Sequence, residues 1–198
     1  MMHVMGKKKI SGVPSRGQLE SELKRERGKR QRLAMAAAAV EAFVVAAAAA
    51  IVVATVLLPV MQIDGNSMSP TLKDGEIVIS FKNAKITKGD IVSFYYNNKI
   101  LIKRVVAMAG ETVDIDGDGK VYVDNYLLEE PYLTEQALGK CDITLPCKVP
   151  EGSIFVLGDH RSMSVDSRSA DIGCISEEQV VSKVTFRVWP FGGIGPVH

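Results

Sequence analysis

Gly65-Asn66-Ser67-Met68-Ser69-Pro70-Thr71-Leu72 marks the point where the chain changes character. Before it lies an almost unbroken apolar run, Ala34–Leu58. After it come short runs of Val, Ile, Tyr and Phe, broken by Gly, Asp, Asn and Pro. The first pattern is that of a helix apolar on every side; the second is that of short strands. The boundary predicts a mainly β domain carried behind one N-terminal helix.

The apolar run is 25 residues long with one charge, Glu41. As a helix it would measure about 37 Å at about 1.5 Å per residue, enough to cross about 30 Å of hydrocarbon. Glu41 lies near the basic end, where it can snorkel or pair with Arg32. Pro59 sets the expected end of the helix. A cleaved signal peptide has a shorter apolar core and a shorter charged lead.

Charge is divided across this run. Residues 1–32 carry ten Lys and Arg against three Glu, a net +7, and the remainder carries 14 basic and 20 acidic side chains, a net −6. That asymmetry is an orientation signal, with the basic side cytoplasmic, rather than a nucleic-acid footprint. The expected organisation is a basic cytoplasmic tail over 1–33, a transmembrane helix over 34–58 and an extracytoplasmic β domain over 59–198.

Within that domain the expected strands are Glu76–Phe81, Asp90–Tyr96, Ile100–Val106, Thr112–Asp116, Lys120–Asp124, Ser153–Gly158 and Val180–Val188. Asn97-Asn98 and Gly117-Asp118-Gly119 supply hairpin turns. The acidic turn Asp114–Gly119 partly matches a calcium loop but lacks the bidentate acid at the required distance, so it reads as a solvated turn. Residues 125–150 are polar and irregular. With the short strands before them they form a β-rich insertion over about 113–152. Cys141 and Cys147 could close a small loop in an oxidising compartment, leaving Cys174 over; three cysteines without a histidine pair make no zinc site.

Three stretches hold side chains suited to chemistry. Ser67 lies in the turn already quoted and reads equally as an ordinary turn serine. Lys103 interrupts the apolar strand Ile100-Leu101-Ile102-Lys103-Arg104-Val105-Val106. A lysine there either snorkels at an edge or is buried with a lowered pKa. Gly158-Asp159-His160-Arg161-Ser162-Met163-Ser164-Val165-Asp166-Ser167-Arg168 gathers glycine, hydroxyls and charges after a strand, as a solvated loop or as a shell that orients a catalytic base.

Taken together these stretches resemble the type I signal peptidases of bacteria. Ser67-Met68-Ser69-Pro70-Thr71-Leu72 matches the Ser-Met-x-Pro-Thr-Leu box of that family, Gly89-Asp90-Ile91-Val92 its Gly-Asp-Ile-Val box, and Lys103-Arg104-Val105-Val106 its Lys-Arg-Val-Val box. Gly158-Asp159, Arg161, Ser164 and Asp166-Ser167-Arg168 match the fourth. The resemblance covers roughly residues 34–190 and implies a signal-peptidase-like all-β catalytic domain. It implies Ser67 as nucleophile, Lys103 as general base, Ser164 as the hydroxyl orienting the lysine, and Asp166 with Arg168 as a supporting pair. Met68, Leu72 and Ile102 become candidates for the substrate pocket. The implied partners are secretory preproteins with Ala-x-Ala cleavage sites, membrane lipid and a neighbouring Sec translocon. No cofactor, metal or nucleic acid is implied.

This chain departs from the pattern in three places. Gly65 stands where some members carry an additional oxyanion hydroxyl. His160 replaces the usual Asn, and Ala107-Met108-Ala109-Gly110-Glu111 replaces a common Gly-x-Pro-Gly-Asp. Relatives in the endoplasmic reticulum and archaea use a His in place of the lysine, but Lys103 is present here. Two competing classes were weighed. A self-cleaving Ser-Lys regulator is disfavoured by the membrane span, and a non-enzymatic anchored β module by the presence of both Ser67 and Lys103.

Overall fold

The computed structural model describes Gly12 and residues 15–197. The first eleven residues of the expected basic tail, Val13, Pro14 and His198 lie outside the described residues. Helix α1 spans Arg16–Leu57, 42 residues or about 63 Å. It begins 18 residues before the expected span. Arg16–Arg32 is rich in Arg, Lys, Glu, Gln and Leu, all strong helix formers. Ser15 starts it as a capping box: Gln18 N donates to Ser15 Oγ (3.4 Å) and Ser15 N to Gln18 Oε1 (3.0 Å). No α1 residue is buried by the rest of the chain. By length and composition the helix is long and apolar enough to cross a membrane.

The β domain consists of two antiparallel sheets. The larger holds β1 (Val60–Gln62), β2 (Ile77–Phe81), β11 (Val180–Trp189), β3 (Ile91–Tyr96), β4 (Lys99–Ala107), β9 (Ser153–Leu157) and β10 (Ile175–Ser176), in that order, with β12 (Gly195–Pro196) beside β11. The smaller runs β7 (Tyr126–Leu127), β6 (Val121–Val123), β5 (Thr112–Ile115), β8 (Cys147–Lys148). Register shifts at three points bend β11, letting it serve both β2 and β3.

All seven expected strands are present. β1, β7, β8, β10 and β12 were missed because two or three residues are too few to display alternation. β7 and β8 fall inside the stretch expected to be irregular. The β3–β4 hairpin turns on Asn97 and Asn98, both with positive φ (46° and 59°), as a two-residue primed turn requires. In the acidic turn, Asp116 Oδ1 accepts from Asp118 N (3.0 Å) and Lys120 N (2.9 Å), so its carboxylate closes the loop itself.

Three apolar clusters form the core. One joins the small sheet to β4 and β9 through Val113, Val121, Val106, Phe155 and Leu157. A second lies under the loop that carries Ser67, with Met68, Leu72, Val78 and Ile91. The third packs Val92, Phe94, Val105 and Val156 on the other side. Buried hydroxyls are paired across the strands: Ser182 Oγ donates to Ser80 Oγ (2.8 Å) and lies 2.7 Å from Ser93 Oγ. Phe155, fully buried between the sheets, provides a direct test of their union. Phe155→Ala is expected to cost about 3–5 kcal/mol in urea unfolding of the full chain in detergent. A loss below about 1 kcal/mol would mean that the two sheets are not packed as described.

The Cys141–Cys147 pairing is not present. All three cysteines are free thiols. The neighbour of Cys147 is Cys174, whose thiol is pushed up to about 12, first by burial and then by Cys147. Spacing along the chain suggested the wrong partner because β8 turns Cys147 towards the core cluster that Cys174 also joins.

Candidate active site

Residues 66–72 wind through a helical turn between β1 and β2. Ser69 N donates to Asn66 O (3.0 Å) and Leu72 N to Met68 O (2.9 Å). Met68 and Leu72 are sunk into the core, 2% and 0% exposed, and hold the turn from beneath. Ser67 is left half-buried at the wall of a cleft. At the mouth of the turn Gly65, at φ +84°, donates its N–H to Asp74 Oδ1 (2.8 Å).

Lys103 sits within β4, paired with Val92 of β3. It is 3% exposed. Its Nζ donates to Ser67 Oγ (2.9 Å) and to Ile102 O (3.0 Å). Burial lowers its pKa from 10.5 to about 8; the charges of Asp166 and Asp159 oppose the shift and Arg168 assists it. The sequence left open whether this lysine snorkels or is buried. It is buried.

The loop after β9 wraps the back of this pair. Gly158 N donates to Asp166 Oδ2 (2.9 Å). Arg168 grips the same carboxylate twice, Nε to Oδ1 and Nη2 to Oδ2, both 2.8 Å, and Asp166 and Arg168 are each 1% exposed. His160 N donates to Ser67 O (3.0 Å), tying the loop to the carbonyl of Ser67 itself. Ser164 Oγ is buried without a hydrogen-bond partner among the described residues, so the expected bond to Lys103 is absent.

A second buried pair lies beside the first. Arg104 forks onto Asp159, Nε to Oδ1 (2.9 Å) and Nη2 to Oδ2 (2.7 Å). Arg104 also donates to Gly89 O (2.8 Å), which accounts for the glycine box before β3. Asp159 accepts the hydroxyl of Thr71, at the end of the Ser67 turn.

The cleft is about 310 Å³. Met61, Gln62, Ile63 and Asp64 form one wall, Ile100–Lys103 the other, with Ser67 and Met68 between them. Of the expected pocket residues, Met68 and Ile102 line it; Leu72 does not and belongs to the core beneath. A larger hollow of about 570 Å³, between Asn83–Ile86 and the start of β11, contains neither Ser67 nor Lys103, and no chemistry converges there.

Sequence reasoning missed two side chains near this centre. Glu130 pairs with Arg161, and the Tyr132 ring lies 3.9 Å from the Arg104 guanidinium. Both come from a stretch with no periodicity. An acid and an aromatic flanking Pro131 were the available signal, and alone it says nothing about partners.

The chain is similar to known proteins. The profile of the family described as signal peptidase, peptidase S26, matches residues 36–189. The chain is 39% identical over 149 residues to Signal peptidase IB of Staphylococcus aureus, covering 65% of this chain and 76% of that protein. It is 34% identical over 142 residues to Signal peptidase I U of Bacillus subtilis, covering 66% and 75%. A crystal structure of a signal peptidase I from Enterococcus faecalis is similar with a TM-score of 0.43 and 30% identity, over 52% of this chain and 98% of that one.

Proposed function

The chain belongs to the signal peptidase family, peptidase S26, and on that premise we propose that Ser67 and Lys103 are its catalytic dyad. Membership makes it a serine-type signal peptidase acting on secretory preproteins, and α1 makes it membrane-anchored. The observation that carries the dyad is the 2.9 Å bond between Lys103 Nζ and Ser67 Oγ in a buried site.

A lysine is a base only when neutral, and a pKa of about 8 leaves about one molecule in ten neutral at pH 7. In that form the bond reverses: Ser67 Oγ–H donates to Nζ. The Ser67 oxygen attacks the scissile carbonyl while Lys103 takes its proton and passes it to the leaving amine. The acyl-enzyme is then hydrolysed by water with Lys103 again as base. A substrate lying over the cleft removes water from the lysine and increases its neutral fraction.

The oxyanion needs donors. The Ser67 N–H makes no hydrogen bond among the described residues and is our candidate for the first of them. The Gly65 N–H is already committed to Asp74. Ser164, buried and unpaired beside Gly158, remains our candidate to orient the lysine, and Asp166 with Arg168 fixes the loop that carries it.

Substrate geometry follows from the unpaired strand edges. β1 ends the large sheet, and Leu101–Lys103 of β4 pairs only with β3. An extended peptide between them would gain backbone hydrogen bonds on both sides. The small apolar hollow at Met68 and Ile102 suits Ala-x-Ala side chains. We place residues 1–33 in the cytoplasm, the span at 34–58, and the catalytic domain at 59–198, with its insertion at about 113–152, outside the cell membrane beside the Sec translocon.

The test is preprotein cleavage in detergent across pH. kcat is expected to rise tenfold per pH unit below about 8 and to level off above it, with no cleavage by Ser67→Ala. A flat profile, or cleavage surviving in Ser67→Ala, would remove the dyad.

A further inference from the structure

Three consecutive residues of the small-sheet region, Glu130-Pro131-Tyr132, reach the back of the dyad by two separate routes. In the first, Glu130 Oε1 pairs with Arg161 Nη2, with the side chains 0% and 2% exposed. Arg161 Nε then donates to Gly158 O (3.2 Å). Gly158 is the residue wedged against both Ser67 and Ser164: a Cβ built there would lie 2.6 Å from Ser67 O and 2.1 Å from Ser164 Oγ. In the second, the Tyr132 ring covers the Arg104 guanidinium at 3.9 Å. Arg104 is the residue after the base, and through Asp159 it holds the hydroxyl of Thr71 in the nucleophile turn. The Tyr132 hydroxyl joins the routes by donating to Glu130 Oε1 (2.7 Å).

We infer that Glu130 and Tyr132 are positioning residues for the reaction: together they hold the nucleophile turn and the loop after β9 in register with Lys103. The inference rests on the dyad reading. Stability alone is a poor reason for this arrangement. A buried ion pair gains little over an apolar pair of the same volume. Glu130 Oε2 is also buried without a hydrogen-bond partner among the described residues, a cost the pair does not offset. What such a pair does supply is direction. A forked guanidinium held on one side by a carboxylate can aim its remaining N–H at one carbonyl, here that of Gly158. The ring in turn limits Arg104 to the plane in which it forks onto Asp159. The Tyr132 phenol is held well above its ordinary range, by burial first and by Glu130 second, so it remains a donor throughout the working pH range.

Three variants of the full chain, assayed in detergent with a peptide substrate, test this. Glu130→Gln removes the charge that holds Arg161. Tyr132→Leu removes the ring from Arg104. Tyr132→Phe keeps the ring and loses only the hydroxyl. Misplacing a reacting group by about 1 Å costs about a hundredfold. Glu130→Gln and Tyr132→Leu are therefore expected to lower kcat by about ten- to a hundredfold with KM within about twofold; the urea midpoint stays near that of the parent in Tyr132→Leu and falls in Glu130→Gln, which leaves Arg161 a buried unpaired charge. Tyr132→Phe is expected to stay within about threefold of the parent, as rescue by the ring requires.

A purely structural staple would give a different result, with kcat falling only as far as the urea midpoint falls and Phe no better than Leu. That outcome, or full activity in Tyr132→Leu, overturns the inference. Should Glu130→Gln fail to fold, the two Tyr132 variants decide alone, since they leave the Glu130–Arg161 pair in place. An inactive parent chain, by contrast, overturns the dyad itself and takes the positioning role with it.

Discussion

Lys103→Met is expected to abolish cleavage and, at neutral pH, to make the protein more stable. The two effects have one cause. The site holds Lys103 at a pKa of about 8 against an ordinary 10.5, chiefly through burial. That gap corresponds to about 3 kcal/mol of disfavoured charge. The folded-state pKa is lowered, so the folded protein prefers the neutral amine. Below about pH 8 it carries the full cost of a buried ammonium. The cost falls away as pH rises from about 8 to 10.5, where the unfolded chain also loses its proton. Methionine has nearly the same length and no charge. It gives up the bonds to Ser67 Oγ and Ile102 O, which offsets part of the gain. The net expectation is about 1–3 kcal/mol of added stability at pH 7, shrinking to nothing near pH 10.5, with kcat reduced at least a thousandfold. Urea unfolding of both proteins at pH 7 and pH 10, beside the cleavage assay, measures this. A Met variant that is less stable at pH 7 than the parent would show that the lysine is not a strained base, whatever its activity.

Legibility from sequence followed the physics of each feature. The anchor and the long strands could be read because many residues repeat one pattern, and β3 and β4 emerge where alternation and Asn97-Asn98 place them. Strands of two or three residues, such as β8, carry no periodic signal and are created by tertiary pairing. Ser67 and Lys103 came from matching ordered boxes, since neither the turn nor the strand alone favours catalysis over a bland role. Arg104 matched its box without revealing why that box needs an arginine. The reason, its fork onto Asp159, links residues 55 positions apart. Leu72 was placed in the pocket because it shares a box with Met68, yet it is wholly enclosed in the core cluster beneath the turn and reaches no wall of the cleft. Glu130 and Tyr132 were invisible because a buried ion pair is a property of two distant segments, and only one of them was conspicuous.

Gly158→Ala should damage activity severely, although it adds a single methyl group. That methyl would meet Ser164 Oγ at 2.1 Å, Ser164 Cβ at 2.5 Å and Ser67 O at 2.6 Å. Turning Ser164 relieves the Oγ contact, and the loop that carries its Cβ must shift to relieve the other. The carbonyl of Ser67 cannot turn: it accepts from His160 N and belongs to the proposed nucleophile. Gly158 cannot retreat either, because Asp166 holds its N–H and Arg161 holds its carbonyl. The strain therefore falls on the position of Ser67. Overpacking of this kind costs about 1–3 kcal/mol of stability, while a displacement of nearly 1 Å at a reacting atom costs about a hundredfold in kcat. Pairing Gly158→Ala with Ser164→Gly separates the two contacts. Relative to Ser164→Gly alone, the double variant should remain about a hundredfold slower while recovering much of its stability, because only the clash with Ser67 is left. Activity equal to that of Ser164→Gly alone would show that Gly158 serves the serine at 164 and not the nucleophile.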